Sequence, residues 1–139
     1  MSRTTSPVHQ AAAIGFDRAA DAYERSRPSY PPEAIECIRA ELAIGVGSRV
    51  LDLAAGTGKL TRLLIPLGAT LVAIEPVAGM RRILQTLHPQ LDVRDGTAEA
   101  IPLDDGSLDA VTCAQAFHWF DGPKALAEIR RVLRPGGGL

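Results

Sequence analysis

An acid, two glycines and a change of pattern meet in "VLDLAAGTGKL", residues 50–60. Asp52 lies in the apolar run, Gly56 and Gly58 follow with a single residue between them, and a new periodic apolar series starts at Leu60. Glycines so placed let a backbone turn sharply and approach a ligand, and they serve equally to turn a strand into a helix. A ligand held there could carry a pyrophosphate, a triphosphate or no phosphate at all. A triphosphate loop needs a longer spacer between its glycines and a Lys followed by Ser or Thr, whereas Lys59 is followed by Leu60. A dinucleotide fingerprint needs a third glycine where Thr61 stands. Asp52 would also repel a pyrophosphate, and would suit a ligand that bears positive charge.

Other chemistry-bearing residues recur at intervals: Glu75 before Pro76, the stretch 96–99, and the stretch 114–119 with His118 and Trp119. Each has a structural alternative. Glu75 could be a solvated strand end, and His118 with Trp119 a packed aromatic corner. Arg81, Arg82, Arg130 and Arg131 read as solvated helix faces. His9 and His88 read as surface residues, and no spacing of His, Cys and carboxylates suggests zinc or another metal.

The elements that position these residues follow from periodicity. Pro31 and Pro32 open a helix, since proline is tolerated in a first turn, and Ile35, Ile38 and Leu42 mark its face. A short helical stretch is expected around residues 19–23. Residues 50–53 make an apolar strand. Leu60, Leu63, Leu64 and Leu67 mark one helix, and Met80, Ile83, Leu84 and Leu87 mark another. "ATLVAIEP" between them is a strand covered on both faces. "LDVRDG" and "LDAVTCAQAF" give a third and a fourth strand. A final helix starts at the N-cap Asp121, carries a Leu126, Ile129, Leu133 stripe and stops at Pro-Gly. Strands joined by helical crossovers are parallel, which predicts an α/β doubly wound sheet. Such sheets bind ligands at the carboxyl ends of their strands, where all four chemistry-bearing stretches fall.

Composition bounds the partners. The chain has 139 residues, 46% hydrophobic and 22% charged, with a net charge of −1, which fits one soluble domain and marks no polyanion or anionic membrane as partner. Cys37 and Cys113 lie far apart in apolar runs and read as buried thiols in a reducing compartment. No apolar run is long enough for a membrane span, and no secretory signal opens the chain, so cytoplasm is the expected location.

The strand-end acid, the glycine bend and Glu75 together resemble the class I S-adenosylmethionine-dependent methyltransferases of the small-molecule, type 11-like group. The family pattern is an acid and then G-x-G-x-G, and "DLAAGTG" has Ala54 where the first glycine usually stands. The likeness continues through "FDRAADAYERSRPSYP", "GTAEAIPLDDGSLDAV", "AQAFHWFD" and "EIRRVLRPGGGL". It implies a Rossmann-like, mostly parallel sheet of order 3-2-1-4 with helices on both faces. It also implies an N-terminal cap over residues 1–30 and an S-adenosyl-L-methionine-binding domain over 31–139. On that resemblance Glu75 would accept both ribose hydroxyls. Ala54, Gly56 and Gly58 would admit the methionine part, with Asp52 near its amino group. Thr97, Ala98 and Glu99 would flank adenine, and Gln115 and Ala116 would line the methyl donor. Arg27, Tyr30 and Trp119 are candidates for the cofactor carboxylate or the substrate, and His118 for a general base.

The family's sheet continues into a fifth strand after the glycine turn, and this sequence stops at "RPGGGL". The resemblance therefore implies an incomplete C-terminal half and an uncovered strand-four edge open to self-association. Two functions stay open: methyl transfer to a small-molecule acceptor, and a cofactor-binding or interaction module without turnover.

Overall fold

The computed structural model describes residues 30–139. The helical stretch expected around 19–23, most of the cap segment 1–30, and Arg27 and His9 lie outside the described residues. Along the chain run α1 (Pro32–Glu41), β1 (Arg49–Leu53), α2 (Thr61–Leu64) continued by a 3-10 turn (Ile65–Leu67), β2 (Thr70–Ile74) and α3 (Ala78–Leu87). Then follow β3 (Asp92–Arg94), β4 (Leu108–Thr112), a second 3-10 turn (Phe117–Trp119), α4 (Gly122–Val132) and β5 (Leu133–Gly138).

The sheet has the order β3-β2-β1-β4-β5 and every pairing is parallel. Its central strands are buried through apolar side chains of β-branched or leucine type: Val50, Leu51 and Leu53 in β1, Val72 and Ile74 in β2, Leu108 and Val111 in β4. Alternation sends successive residues of β1 to opposite faces. Leu51 and Leu53 join the cluster formed with Ala125, Ile129 and Val132 of α4, and Val50 joins Ile44, with Ile38 and Leu42 packed against them.

Three helices differ from expectation for local reasons. Pro66 has no N–H to continue α2, so the leucine stripe divides into a short α-helix and a 3-10 turn closed by Gly68 at φ 86°. In α3, Met80 and Leu84 are buried while Leu87 is exposed. In α4 the buried face is Ala125, Ile129 and Val132; Leu126 is 49% exposed and Leu133 already belongs to β5. Asp121 caps α4 as expected, its carboxylate accepting from the Lys124 amide. Cys37 is exposed rather than buried, and Cys113 is half-buried.

The expected uncovered edge on strand four is filled. "LRPGGG" forms β5, pairing Leu108 with Leu133 and Ala110 with Gly138 across an irregular register. The glycines that read as a stop signal are what let it lie there. A Cβ at Gly137 would stand 2.9 Å from the Asp109 carbonyl oxygen, and one at Gly138 would stand 2.8 Å from Leu42 Cδ2. Arg134 Nε donates to Asp109 Oδ1, and the Arg49 amide donates to Asp109 Oδ2 at 2.7 Å, so one carboxylate fastens β1, β4 and β5. That arginine and that amide hold the Asp109 carboxyl below its ordinary range. Among the described residues no helix is long and apolar enough to cross a membrane.

Candidate functional site

Because the strands are parallel, β1 to β4 end on one edge. Leu53 pairs with Ile74, Ile74 with Arg94, and Asp52 with Thr112. Two backbone hydrogen bonds carry the ladder past the strands, from the Ala55 amide to the Ile74 carbonyl and from the Glu75 amide to the Arg94 carbonyl, each 3.1 Å. The four stretches singled out from the sequence thus leave neighbouring strands side by side.

The bend after β1 holds three residues in left-handed backbone: Ala54 at φ 55°, Gly56 at 62° and Gly58 at 95°. The two glycines meet different demands. At Gly56 a Cβ would meet only Met80 Sδ, at 3.8 Å, so the dihedral is what requires glycine. At Gly58 a Cβ would stand 2.5 Å from Leu84 Cδ1, so the missing side chain lets α3 close onto the bend. Ala54 departs from the family's glycine at a position whose backbone favours glycine, and an L-residue there carries about 1–2 kcal/mol of strain.

Asp52 lies beneath this bend, 1% exposed. Thr61 Oγ1 donates to its Oδ2 at 2.6 Å and Thr112 Oγ1 to its Oδ1 at 2.9 Å. The acid therefore ties the first residue of α2 and the last of β4 to β1. Burial pushes its pKa up to about 6, against the pull of the two hydroxyls. Thr61, which occupies the place of a dinucleotide fingerprint's third glycine, is here a partner of the acid.

Glu75 is 4% exposed and held from several sides. The Gly56 amide donates to Oε1 at 3.0 Å and the Val77 amide to Oε2 at 2.7 Å, so the glycine bend and the start of α3 both end on this carboxylate. Burial raises its pKa; the two amides and the Arg81 guanidinium act against that rise. Arg81 is not a solvated arginine. Its Nη1 donates to the Glu75 and Pro76 carbonyls, both at 2.9 Å, and reaches Asp95 Oδ1 at 3.2 Å.

Thr97 and Ala100 form an isolated bridge that folds the stretch after β3 into a hook, with Ala98 buried inside it. Glu99 accepts from the Asp121 amide at 2.8 Å, joining the hook to the start of α4. Arg131, also expected to be solvated, fixes the hook's far side by donating to the Ile101 and Leu103 carbonyls at 2.7 and 2.9 Å and to Asp105 at 2.7 Å. Strand four ends at Thr112, earlier than its apolar composition suggests. Gln115 is exposed at φ 58°, Ala116 is half-buried, and the 3-10 turn presents Phe117, His118 and Trp119 outward. The rings of Phe117 and Phe120 meet edge-on at 5.6 Å, and those of His118 and Trp119 lie 5.0 Å apart. Tyr30 is half-buried. Among the described residues no group of His, Cys, Asp and Glu could hold a metal ion.

The family profile described as a methyltransferase domain matches residues 51–139, from the start of this strand-end site to the last residue. The chain belongs to the class I S-adenosylmethionine-dependent methyltransferases. An uncharacterized methyltransferase of Mycobacterium tuberculosis is 52% identical over 127 residues, 91% of this chain and 51% of that protein. A demethylmenaquinone methyltransferase of Renibacterium salmoninarum is 42% identical over 94 residues, 67% of this chain and 40% of that protein. The chain thus spans about half the length of the curated relatives it matches. The crystal structure of a SAM-dependent methyltransferase from Thermotoga maritima superposes with a TM-score of 0.68 at 28% identity, over 88% of this chain and 56% of that one.

Within this methyltransferase domain, four residues escaped the sequence reasoning: Thr61, Thr112, Arg81 and Arg131. A buried acid requires partners, so a hydroxyl closing an apolar strand, as Thr112 does, was the available signal for one of them. For Thr61, Arg81 and Arg131 the pairing is set by tertiary register, which sequence spacing does not display.

Proposed function

We propose that this methyltransferase domain binds S-adenosyl-L-methionine at the strand-end site and serves methyl transfer to a small-molecule acceptor. The observation that carries the reading is the Glu75 carboxylate. Each of its oxygens accepts one backbone amide, and each carboxylate oxygen has capacity for a second donor. A rigidly held acid with two acceptor sites left suits a vicinal diol such as a ribose. The bend agrees, since nothing but Met80 Sδ stands near the position of a Gly56 Cβ.

When bound, the cofactor supplies an already activated sulfonium methyl group, and the protein's work is positioning and exclusion of water. Glu75 would hold the ribose, the hook at Thr97, Ala98 and Glu99 would flank the adenine, and residues 54–58 with Gln115 and Ala116 would line the methionine end. Asp52 supports that end from below through Thr61 and Thr112. Phe117 and Trp119 would wall the acceptor, with ring faces suited to a nearby cation. His118 would take an acceptor hydroxyl's proton on an imidazole nitrogen; a carboxylate acceptor would need no base. The likeness to a demethylmenaquinone methyltransferase supports a small organic acceptor.

Calorimetric titration with S-adenosylhomocysteine tests the cofactor site. The parent chain is expected to bind, and Glu75→Ala to lose about 1.5–3 kcal/mol, the scale of hydrogen bonds to a charged group. Unchanged affinity in that variant would remove Glu75 from the site. A methyl-transfer assay with radiolabelled cofactor then separates an enzyme from a cofactor-binding module.

A further inference from the structure

The guanidinium of Arg81 reaches two of the site's walls. Nη1 donates to the carbonyls of Glu75 and Pro76 and reaches the carboxylate of Asp95, the residue that follows β3. Nη1 has two hydrogens for three oxygens, so the contact is a shared fork drawing the three acceptors together. Fixing the Glu75 carbonyl fixes the backbone from which the Glu75 side chain departs, and the adjoining Pro76 ring leaves that peptide little other freedom. The Gly56 and Val77 amides then aim the carboxylate. On the other side, Asp95 leads directly into Gly96, which is packed so closely that a Cβ would stand 2.8 Å from Pro102 Cδ and 3.1 Å from Ile74 Cγ2. A shift of Asp95 is therefore passed on to the hook at Thr97 and Ala98. The side chain of Arg81 is 20% exposed, which keeps this fork partly out of water. Arg82, next to it on α3, is exposed and its side chain enters none of these contacts.

We propose that Arg81 is a positioning residue of the cofactor site, locking the diol-binding acid and the exit of β3 into one unit so that ribose and adenine are met by a preformed pair of walls. The proposal rests on the cofactor reading above.

The test is a double-mutant cycle read by calorimetric titration with S-adenosylhomocysteine, with urea unfolding of each variant alongside. Arg81→Met is expected to weaken binding about tenfold in the parent chain, the scale for partners that orient a ligating group. In the Glu75→Gln background the same substitution is expected to cost clearly less than in the parent chain, because only the exit of β3 is left for Arg81 to position. Arg82→Met is expected to change nothing. A purely structural Arg81 gives losses that multiply, equal in both backgrounds, and that result overturns the proposal. Arg81→Lys keeps the charge on a shorter, unforked group. It is expected to show the same dependence on Glu75 at smaller amplitude, and it decides the matter if the methionine variant does not fold; equal losses for it in both backgrounds also overturn the proposal. Failure of the parent chain to bind S-adenosylhomocysteine would sink the cofactor reading itself, whereas binding without coupling sinks only the role of Arg81.

Discussion

Ala54 and Asp52 show how single residues carry the cost of this site. Ala54 holds φ 55° without being glycine. Ala54→Gly should relieve about 1–2 kcal/mol of left-handed strain and give back about 0.5–1 kcal/mol through the freer unfolded chain. The expected outcome is a gain of up to about 1.5 kcal/mol, seen as a raised urea midpoint at unchanged slope. A lowered midpoint would mean that the alanine methyl makes contacts worth more than the strain. Asp52 has the opposite character, a charge held under cover. Its pKa is about 6 in the fold against an ordinary 3.8, so the native state binds its proton more tightly than the unfolded chain does. Its contribution to stability is complete below the unfolded value and is lost as pH rises through about 6. That tighter hold on the proton corresponds to about 3 kcal/mol. Glu75 runs in the same sense, while Glu36, Asp109 and Glu128, held down by arginines, run in the other. Subtracting the pH profile of Asp52→Asn from that of the parent isolates the one group. The difference is expected to fall steeply between about pH 4 and 6 and to be flat above that. A flat difference throughout would show that Asp52 does not titrate in that window.

Between elements, the closest approach is that of α3 to the bend after β1, made where Gly58 faces Leu84. Gly58→Ala brings a Cβ to within 2.5 Å of Leu84 Cδ1 and adds a side chain at φ 95°. Overpacking and left-handed strain together should cost about 2–4 kcal/mol. In a Leu84→Ala background the steric part should vanish and the dihedral part remain, so the penalty is expected to fall by about half on urea unfolding. An equal penalty in both backgrounds would assign the whole cost to the backbone. The glycine bend was legible in the sequence because it joins two periods, a buried strand and an amphipathic helix. The parallel run of the first four strands was legible for the same reason, through their helical crossovers, while their order followed from the family resemblance. Where spacing misled, a local or tertiary contact prevailed. Pro66 cut a leucine stripe that looked continuous, and Leu126 lost its place in the core to Ala125 and Val132. The acids of the site could be read from their positions at strand ends. Their partners could not, since Thr112 meets Asp52 across 60 residues and Arg131 meets the Ile101 carbonyl across 30.

At the scale of the sheet, the described residues run from β3 to β5, and both outer strands are poor templates for pairing with another chain. On one side β3 is three residues long and carries the exposed Asp92–Arg94 pair. On the other, β5 contains Pro135, which lacks a donor, and Gly136 at φ 84°, which breaks the extended run. The strand-four edge that the sequence alone leaves open, with Leu108, Ala110 and Val111 in a row, is covered by this irregular strand. β5 in turn depends on glycine. Gly137→Val would put a Cβ 2.9 Å from the Asp109 carbonyl oxygen and 3.0 Å from that of Arg134, both backbone atoms that cannot swing aside. Nor would the Arg134 contact to Asp109 compensate, because exposed ion pairs of this kind contribute little. The expected outcome is that β5 leaves the sheet and bares a flat apolar edge, a template for pairing with a second copy. Light scattering across a concentration series should show the variant gaining mass relative to the parent chain, and hydrogen exchange should show faster exchange in β4 than in β1, which keeps β2 and β4 on either side. Equal mass at all concentrations with β4 amides as protected as in the parent would mean that β5 tolerates the side chain, and that the glycines are not what holds it against the sheet.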